Sequence, residues 1–360
     1  MRKTIRDVAE AAGVAKSTVS IVMNNSRPQV DRIPVSTRDR IRACAESLGY
    51  SGSRLAAALS TGRSLWIGVI TDCLPSDPAR WTWAPFFDLA LISGIQRKLA
   101  EHGYFTLLGL RQVQDEVRDI DQLASAEIGG LILKAAREPA VKRAERLLAE
   151  GTPVVNVFPI RQSDLAPCIV DLDNVAAGRL AAELVIGCNC RNPVYFMREG
   201  HIMRHRAEGF VAALQEMLGV APRVCSLPPG ANDNTTTKMI VDCLCDNRPD
   251  IAVALDAGLS MLLSTATDVL SVEVPRDLAI IGFDCMTNRT ARQLRISSVG
   301  ASWLHAGETA AQIIVDRIEG INDELPKLLP PVFVPGDTTP PGLTHKSAEE
   351  FIRALDRSAT

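Results

Sequence analysis

A chain of 360 residues with 46% hydrophobic content and mean hydropathy +0.08 is long enough for about two or three domains, and its apolar runs fall short of the ~20 residues that a membrane helix needs. No basic stretch followed by an apolar core opens the chain, so no cleavable secretory signal is expected and the expectation is a cytoplasmic protein. The net charge of -3 hides an asymmetry: residues 1–63 hold eleven basic and five acidic side chains, a surplus of six, so the remainder carries -9. A basic head on an acidic body is the footprint of a protein whose head alone meets a polyanion.

The head's local signals describe three short helices. Thr4, with Asp7 three residues on, is a capping-box start; Ile5, Val8, Ala9 and Ala12 then share one face, and Gly13 ends the helix. A second helix starts near Ala15 or Lys16. The stretch "NNSRPQVDRIPV" reads as a loop, after which Ser36 and Asp39 open a third helix with Ile41, Ala45 and Leu48 inward and Gly49 as its stop. Two helices joined by a tight glycine turn and closed by a third form a helix-turn-helix, whose second helix enters the DNA major groove. Lys16 then reaches guanine, Ser17 reads either edge, and Thr18 and Ser20 suit phosphate oxygens. A helical hairpin with a solvated polar face fits the pattern equally in isolation; the charge asymmetry favours DNA.

"SRLAAALSTG", residues 53–62, has high helix propensity but is shorter than the ~12–15 residues that an isolated helix needs in water. It is expected to be disordered alone, leaving Leu55 and Leu59 as an apolar stripe without a core. From Leu65 the pattern changes to short apolar runs ("LWIGVI", "FTLLGL", "GGLILKA", "PVVNVF", "CIVDLD", "PVYFM", "RVCSL", "IAVALD", "LAIIGFD") alternating with helical stretches such as 86–101. Such alternation predicts parallel sheets with right-handed crossovers, arranged as two doubly wound lobes. Ligands in these sheets bind beyond the carboxyl ends of the strands. That rule selects Phe87, Asp88, Asp256, Asp284 and Trp303, although each aspartate also suits a helix N-cap.

No glycine-rich phosphate loop follows a strand, and no nucleophile-base pair is identifiable, so neither an enzyme nor a bound cofactor is expected. Nine cysteines, an odd number, argue for reduced thiols. Cys188/Cys190 and Cys243/Cys245 share Cys-x-Cys spacing, and His201 and His205 are one helical turn apart, but a metal needs about four such groups converging, so no metal is expected.

The segments "TIRDVAEAAGVAKSTVSIVMNN", "ESLGYSGSRLAAALSTGRSLWIGVI", "APFFDLALISGIQRKLAEHGY", "VDLDNVAAGRLAAELV", "RAEGFVAAL" and "VPRDLAIIGFD" resemble, in order and spacing, the lactose-repressor (LacI/GalR) family of bacterial transcription regulators. The resemblance runs from Thr4 to about residue 340, and it is most specific in the head. It implies base reading by Lys16, Ser17 and Ile21 and backbone contacts by Thr18, Ser20 and Asn24, with Thr4, Arg54 and Leu55 completing the DNA-facing set. It further implies a hinge helix at 51–63 that orders on DNA and inserts Leu59 into the minor groove, an apolar wedge of the kind that unstacks a base step. Arg206 matches the family's effector-binding arginine; with Asp284 it would grip vicinal hydroxyls while Trp303 or Phe87 stacks on a sugar face.

Four departures stand out. Ile21 replaces a frequent Arg, the 26–34 loop is longer than usual, Leu255-Asp256 replaces a frequent Asn-Asp, and Pro335 replaces a common Arg.

The expected architecture is an all-α head (1–50), a hinge (51–63), a two-lobed α/β effector domain resembling periplasmic binding proteins (64–345) and a tail (346–360) too weakly heptad-patterned to support a tetramer. Its first lobe is expected at about 64–167 plus 301–326, and its second at about 168–300 plus 327–345. The expected partners are a near-palindromic double-stranded DNA operator, a small-molecule effector such as a sugar, and a second copy of the chain, with no membrane. The expected function is a repressor controlled by that effector. An exported sugar-binding protein shares the two-lobe pattern, but it would need a signal peptide in place of the basic head.

Overall fold

The computed structural model describes residues 3–23, 30–50, 64–72, 84–111, 116–160, 168–198, 201–219, 221–228, 230–284, 290, 292–321 and 327–345. In the head, α1 (Ile5–Ala12) is fixed at its start by Asp7, whose carboxylate accepts from the Thr4 amide at 2.7 Å and the Thr4 hydroxyl at 2.8 Å. Those two bonds, the backbone one first, hold the Asp7 carboxyl below its ordinary value. Gly13 ends the helix at φ 62°, where only glycine is unstrained, and α2 (Lys16–Met23) follows three residues later. Helix α3 (Val35–Ser47) closes a small core of Val8, Val19, Val22, Val30, Ile41 and Ala45.

Two details differ from the sequence expectation. Helix α3 begins at Val35, directly after Pro34, so Ser36 lies inside the helix and does not cap it. The connecting stretch is not all loop: Val30–Arg32 forms a single 3-10 turn because Val30 is buried in the head core.

Among the described residues, the body contains two six-stranded sheets. The first has the order β11-β5-β4-β3-β1-β2, all parallel: β1 (Trp66–Asp72), β2 (Phe105–Arg111), β3 (Gly130–Lys134), β4 (Val154–Val157), β5 (Ile169–Leu172) and β11 (Lys327–Leu329). The second has the order β12-β10-β9-β8-β6-β7: β6 (Pro193–Arg198), β7 (Arg223–Leu227), β8 (Ile251–Ala254), β9 (Ala279–Phe283), β10 (Ser297–Gly300) and β12 (Val332–Val334). Among its described strands only β12 runs antiparallel, against β10. Apolar runs such as β3, β4 and β8 are buried throughout, as strands covered on both faces by helices must be.

The lobe boundaries expected from sequence are corrected by the pairing. β5 extends the first sheet through β4, so the chain crosses over after Leu172 and not at 167. β11 returns to that sheet beside β5, so only the segment from about Val332 belongs to the second lobe. Apolar periodicity identifies a strand but carries no information about which sheet it joins.

Each lobe contains one helix crossing made close by paired glycines. In the first, Gly94 of α4 (Ala84–His102) faces the Leu304 carbonyl of α11 (Trp303–Ile318), while Gly307 faces the Leu91 carbonyl in return. In the second, α7 (Asn174–Gly187) and α8 (His201–Leu218) repeat the arrangement, with Gly178 against the Arg206 carbonyl and Gly209 against the Val175 carbonyl. A Cβ at any of these four positions would overlap a backbone oxygen that no rotamer change can move. Gly178→Ala is therefore expected to destabilise the protein by about 1–3 kcal/mol or more, read as a lower urea midpoint; an unchanged midpoint would contradict the crossing described.

Candidate functional site

The second helix of the head presents two surfaces. Val19 and Val22 are buried against α1 and α3, while Lys16 and Ser17 are exposed at its N-terminal end and Thr18 and Ser20 are half-buried. Ile21 is half-buried and packs partly on the head core, so only part of its side chain faces outward. Thr4 is exposed, with its hydroxyl engaged by Asp7. Asn24, Arg54, Leu55 and Leu59, and the 346–360 tail, lie outside the described residues.

In the body, the sequence-selected residues fall into two groups at the carboxyl ends of the strands. The first surrounds Arg206, a buried cation on α8. Its Nε donates to Asn174 Oδ1 at 3.0 Å, and its Nη1 donates to the Leu255 carbonyl at 2.9 Å and to Asp284 Oδ2 at 2.9 Å. The guanidinium also lies over the Phe283 ring, 4.6 Å from its centroid. One side chain thus joins the start of α7, the end of β8 and the end of β9. Asp284 follows β9 at φ 57°, and this left-handed turn aims its carboxylate at Arg206.

Asp256 has a different task. Its carboxylate accepts from the Leu259 amide at 2.7 Å and caps α10 (Ala257–Val269), the alternative role open to each aspartate.

The second group is aromatic. Phe87 stacks on Trp303 with centroids 5.0 Å apart, and Phe158 approaches the same indole at 4.3 Å. Lys134 lies 5.8 Å over that indole, and its ammonium pairs with buried Asp88 at 2.8 Å. Asp88 also accepts from the Thr71 hydroxyl at 2.8 Å. The indole Nε1 of Trp303 is buried without a hydrogen-bond partner among the described residues. Phe158 and Ala135 occupy left-handed backbone at the ends of β4 and β3, the same device that turns Asp284.

Sequence reasoning missed Asn174, Lys134, Phe158, Thr71 and Asp171. Lys134, Phe158 and Asp171 stand at or beside the carboxyl ends of β3, β4 and β5, so the rule that selected Asp284 would have found them too. Tyr195 was also missed: its ring meets Phe210 at 4.9 Å, and its buried hydroxyl lacks a partner among the described residues. Burial drives its phenol pKa upward, with Asp256 and Asp284 adding to the effect and Arg206 opposing it.

The comparisons agree with this geometry. Residues 4–53 match the model of the lacI family of bacterial regulatory proteins, and residues 182–339 match that of the periplasmic binding protein-like domain. The chain thus carries a head like that of lacI-family regulators, followed by a periplasmic binding protein-like domain. The regulator MalR of Staphylococcus xylosus is 25% identical over 347 residues, covering 93% of this chain and 98% of its own length. CelR of Thermobifida fusca is 26% identical over 350 residues, covering 91% and 95%. Among solved structures, the lac repressor dimer bound to operator and an anti-inducer superposes with TM-score 0.68 at 18% identity, over 94% of this chain and 99% of that one. A CelR–cellobiose complex gives TM-score 0.62 at 21% identity, over 94% and 100%. With that head and that domain, the chain is a DNA-binding transcription regulator with a helix-turn-helix head and a two-lobed effector domain.

Asp171, beside the Arg206 group, gives this site a pH signature. Burial is the main cause that raises its carboxyl from 3.8 to about 6; the Leu172 amide and Arg206 oppose the shift, while Asp284 and Asp173 add to it. A carboxyl whose folded value exceeds its unfolded value contributes stability below the unfolded value and loses it as pH rises through the folded one. Asp171→Asn is therefore expected to be more stable than the parent above about pH 7 by on the order of 2–3 kcal/mol, with the advantage gone near pH 4. Melting temperature against pH checks this, and parallel curves for the two proteins would contradict it.

Proposed function

We propose that this LacI-family regulator is a homodimeric repressor that binds a near-palindromic operator in the bacterial nucleoid and is released or retained by a neutral sugar or sugar derivative held between its lobes. One observation carries the reading. Buried Arg206 and half-buried Asp284 form a paired set of donors and acceptors suited to vicinal hydroxyls, and the Phe87–Trp303–Phe158 group supplies the apolar faces on which a sugar ring stacks. Two relatives support a sugar: the solved CelR complex holds cellobiose, and a LacI-family regulator from Enterococcus faecium holds ribose. The lac repressor structure is a dimer on operator DNA, which supports two heads on two half-sites.

Regulation on this reading is a difference in affinity. An effector that binds one lobe arrangement more tightly shifts the population of dimers able to order both 51–63 segments on DNA. Position 21 sets the operator: Ile makes apolar contact with a thymine methyl where Arg would bond guanine, so the preferred base there is thymine. No described helix is long and apolar enough to cross a membrane.

Mobility shifts with operator duplex, with and without a panel of sugars, test the reading. Lys16→Ala and Leu59→Ala should each weaken specific binding by about tenfold or more, the scale of one lost base contact. Arg206→Ala should leave operator affinity intact and abolish the sugar response. A retained response would remove Arg206 from the effector site, and unchanged operator affinity in Lys16→Ala would remove α2 from the base-reading role.

A further inference from the structure

We infer that Arg198 is a further effector contact and that it selects an effector carrying an oxyanion, a carboxylate or a phosphate on a sugar frame. The inference rests on the sugar reading of the cleft; of the two effectors named there, a neutral sugar and a sugar derivative, it takes the second.

Arg198 is the last residue of β6, at the end of the sheet where ligands bind. Two residues earlier, the Phe196 carbonyl accepts from the Leu255 amide at 3.0 Å, and the Leu255 carbonyl in turn accepts from Arg206 at 2.9 Å. Arg198 therefore stands one strand from the Arg206 group. Its side chain is half-buried, its Nε is buried without an acceptor, and among the described residues no carboxylate, carbonyl or sulfur pairs with its guanidinium. Every other described arginine is either exposed or has such a partner; half-buried Arg317, for example, donates to the Cys168 sulfur at 3.0 Å.

An arginine cannot shed its charge by losing a proton, so a guanidinium drawn partly out of water needs acceptors. The carboxylates around the cleft are already committed. Asp284 pairs with Arg206, Asp256 caps α10 through the Leu259 amide, and Asp88 is held by Lys134 and Thr71. Asp171 accepts from the Leu172 amide and lies on β5, in the other sheet.

Three buried groups here have no partner among the described residues: Arg198 Nε, Trp303 Nε1 and the Tyr195 hydroxyl. Each can donate a hydrogen bond. A plain polyol brings as many donors as acceptors, whereas a carboxylate or phosphate brings acceptors and the charge that matches the guanidinium fork. Arg206, with its own carboxylate in place, does not need that charge; Arg198 does.

The test measures melting temperature of the full-length protein at constant ionic strength, since a ligand that binds only the folded state raises it. The probes are glucose, galactose, ribose and cellobiose, the aldonic acid of each, and the terminal phosphate ester of each monosaccharide. The expected result is that one acid or ester binds more tightly than its neutral parent. Its affinity should fall about tenfold or more in Arg198→Gln and recover in part in Arg198→Lys, which keeps the cation. Preference for the acids assigns a carboxylate, and preference for the esters a phosphate. A wild-type protein that binds a neutral parent as well as its charged derivatives, or an Arg198→Gln variant that keeps full affinity for the charged one, would overturn the inference and leave the sugar reading standing. Silence toward every probe, neutral and acidic alike, would overturn the sugar reading and this inference with it. If the variants fail to fold, the wild-type order of acidic over neutral probes decides the matter.

Discussion

A guanidinium buried in protein must find partners for its donors, because an unpaired buried charge costs several kcal/mol. Arg206 meets that demand with groups from three separate segments: the Asn174 amide, the Leu255 carbonyl and the Asp284 carboxylate. The floor of the second lobe is thereby tied together at one atom cluster, and the same cluster faces the region where sheets of this type hold ligands. Gly178 makes the arrangement possible, because α7 can approach α8 at the Arg206 carbonyl only where no Cβ intervenes.

The first lobe solves a related problem differently. Its charge is Lys134, paired with Asp88 and lying over Trp303, with Thr71 completing the carboxylate's contacts. The Arg206 group is thus a cation network seated on the Phe283 ring, and the Trp303 group is an aromatic group edged by an ion pair. On the proposed reading, a sugar, with hydroxyls at its rim and C–H faces above and below, engages both groups at once. An effector held in that way gains its full set of contacts only when the lobes stand in one relative arrangement, which is the differential affinity that allostery requires.

Much of this was legible in the sequence. Gly13, the inward positions Val8, Val19 and Ile41, and the alternation of apolar runs after Leu65 each follow from local rules, and each stands where those rules put it. Arg206 and Asp284 were found through resemblance and strand-end logic, and the structure bonds them at 2.9 Å. What escaped was long-range. Pairing assigns β5 and β11 to the first sheet, a choice made by neighbouring strands and not by the residues of 169–172 or 327–329. Asp88 and Lys134 lie far apart in sequence, so nothing local announces their pairing. Asp256 shows the converse limit, since an aspartate at a strand end caps the next helix as readily as it binds a ligand.

The account stands on a head that discriminates between DNA sequences and a body that adjusts that discrimination. Selection of duplexes from a random-sequence library by the full-length protein, in the presence and absence of soluble sugars, addresses both at once. The expected outcome is enrichment of an inverted repeat with a thymine at the base facing Ile21, and a change in its retention with one class of sugar. Recovery of duplexes with no common sequence at low salt would contradict the account at its root.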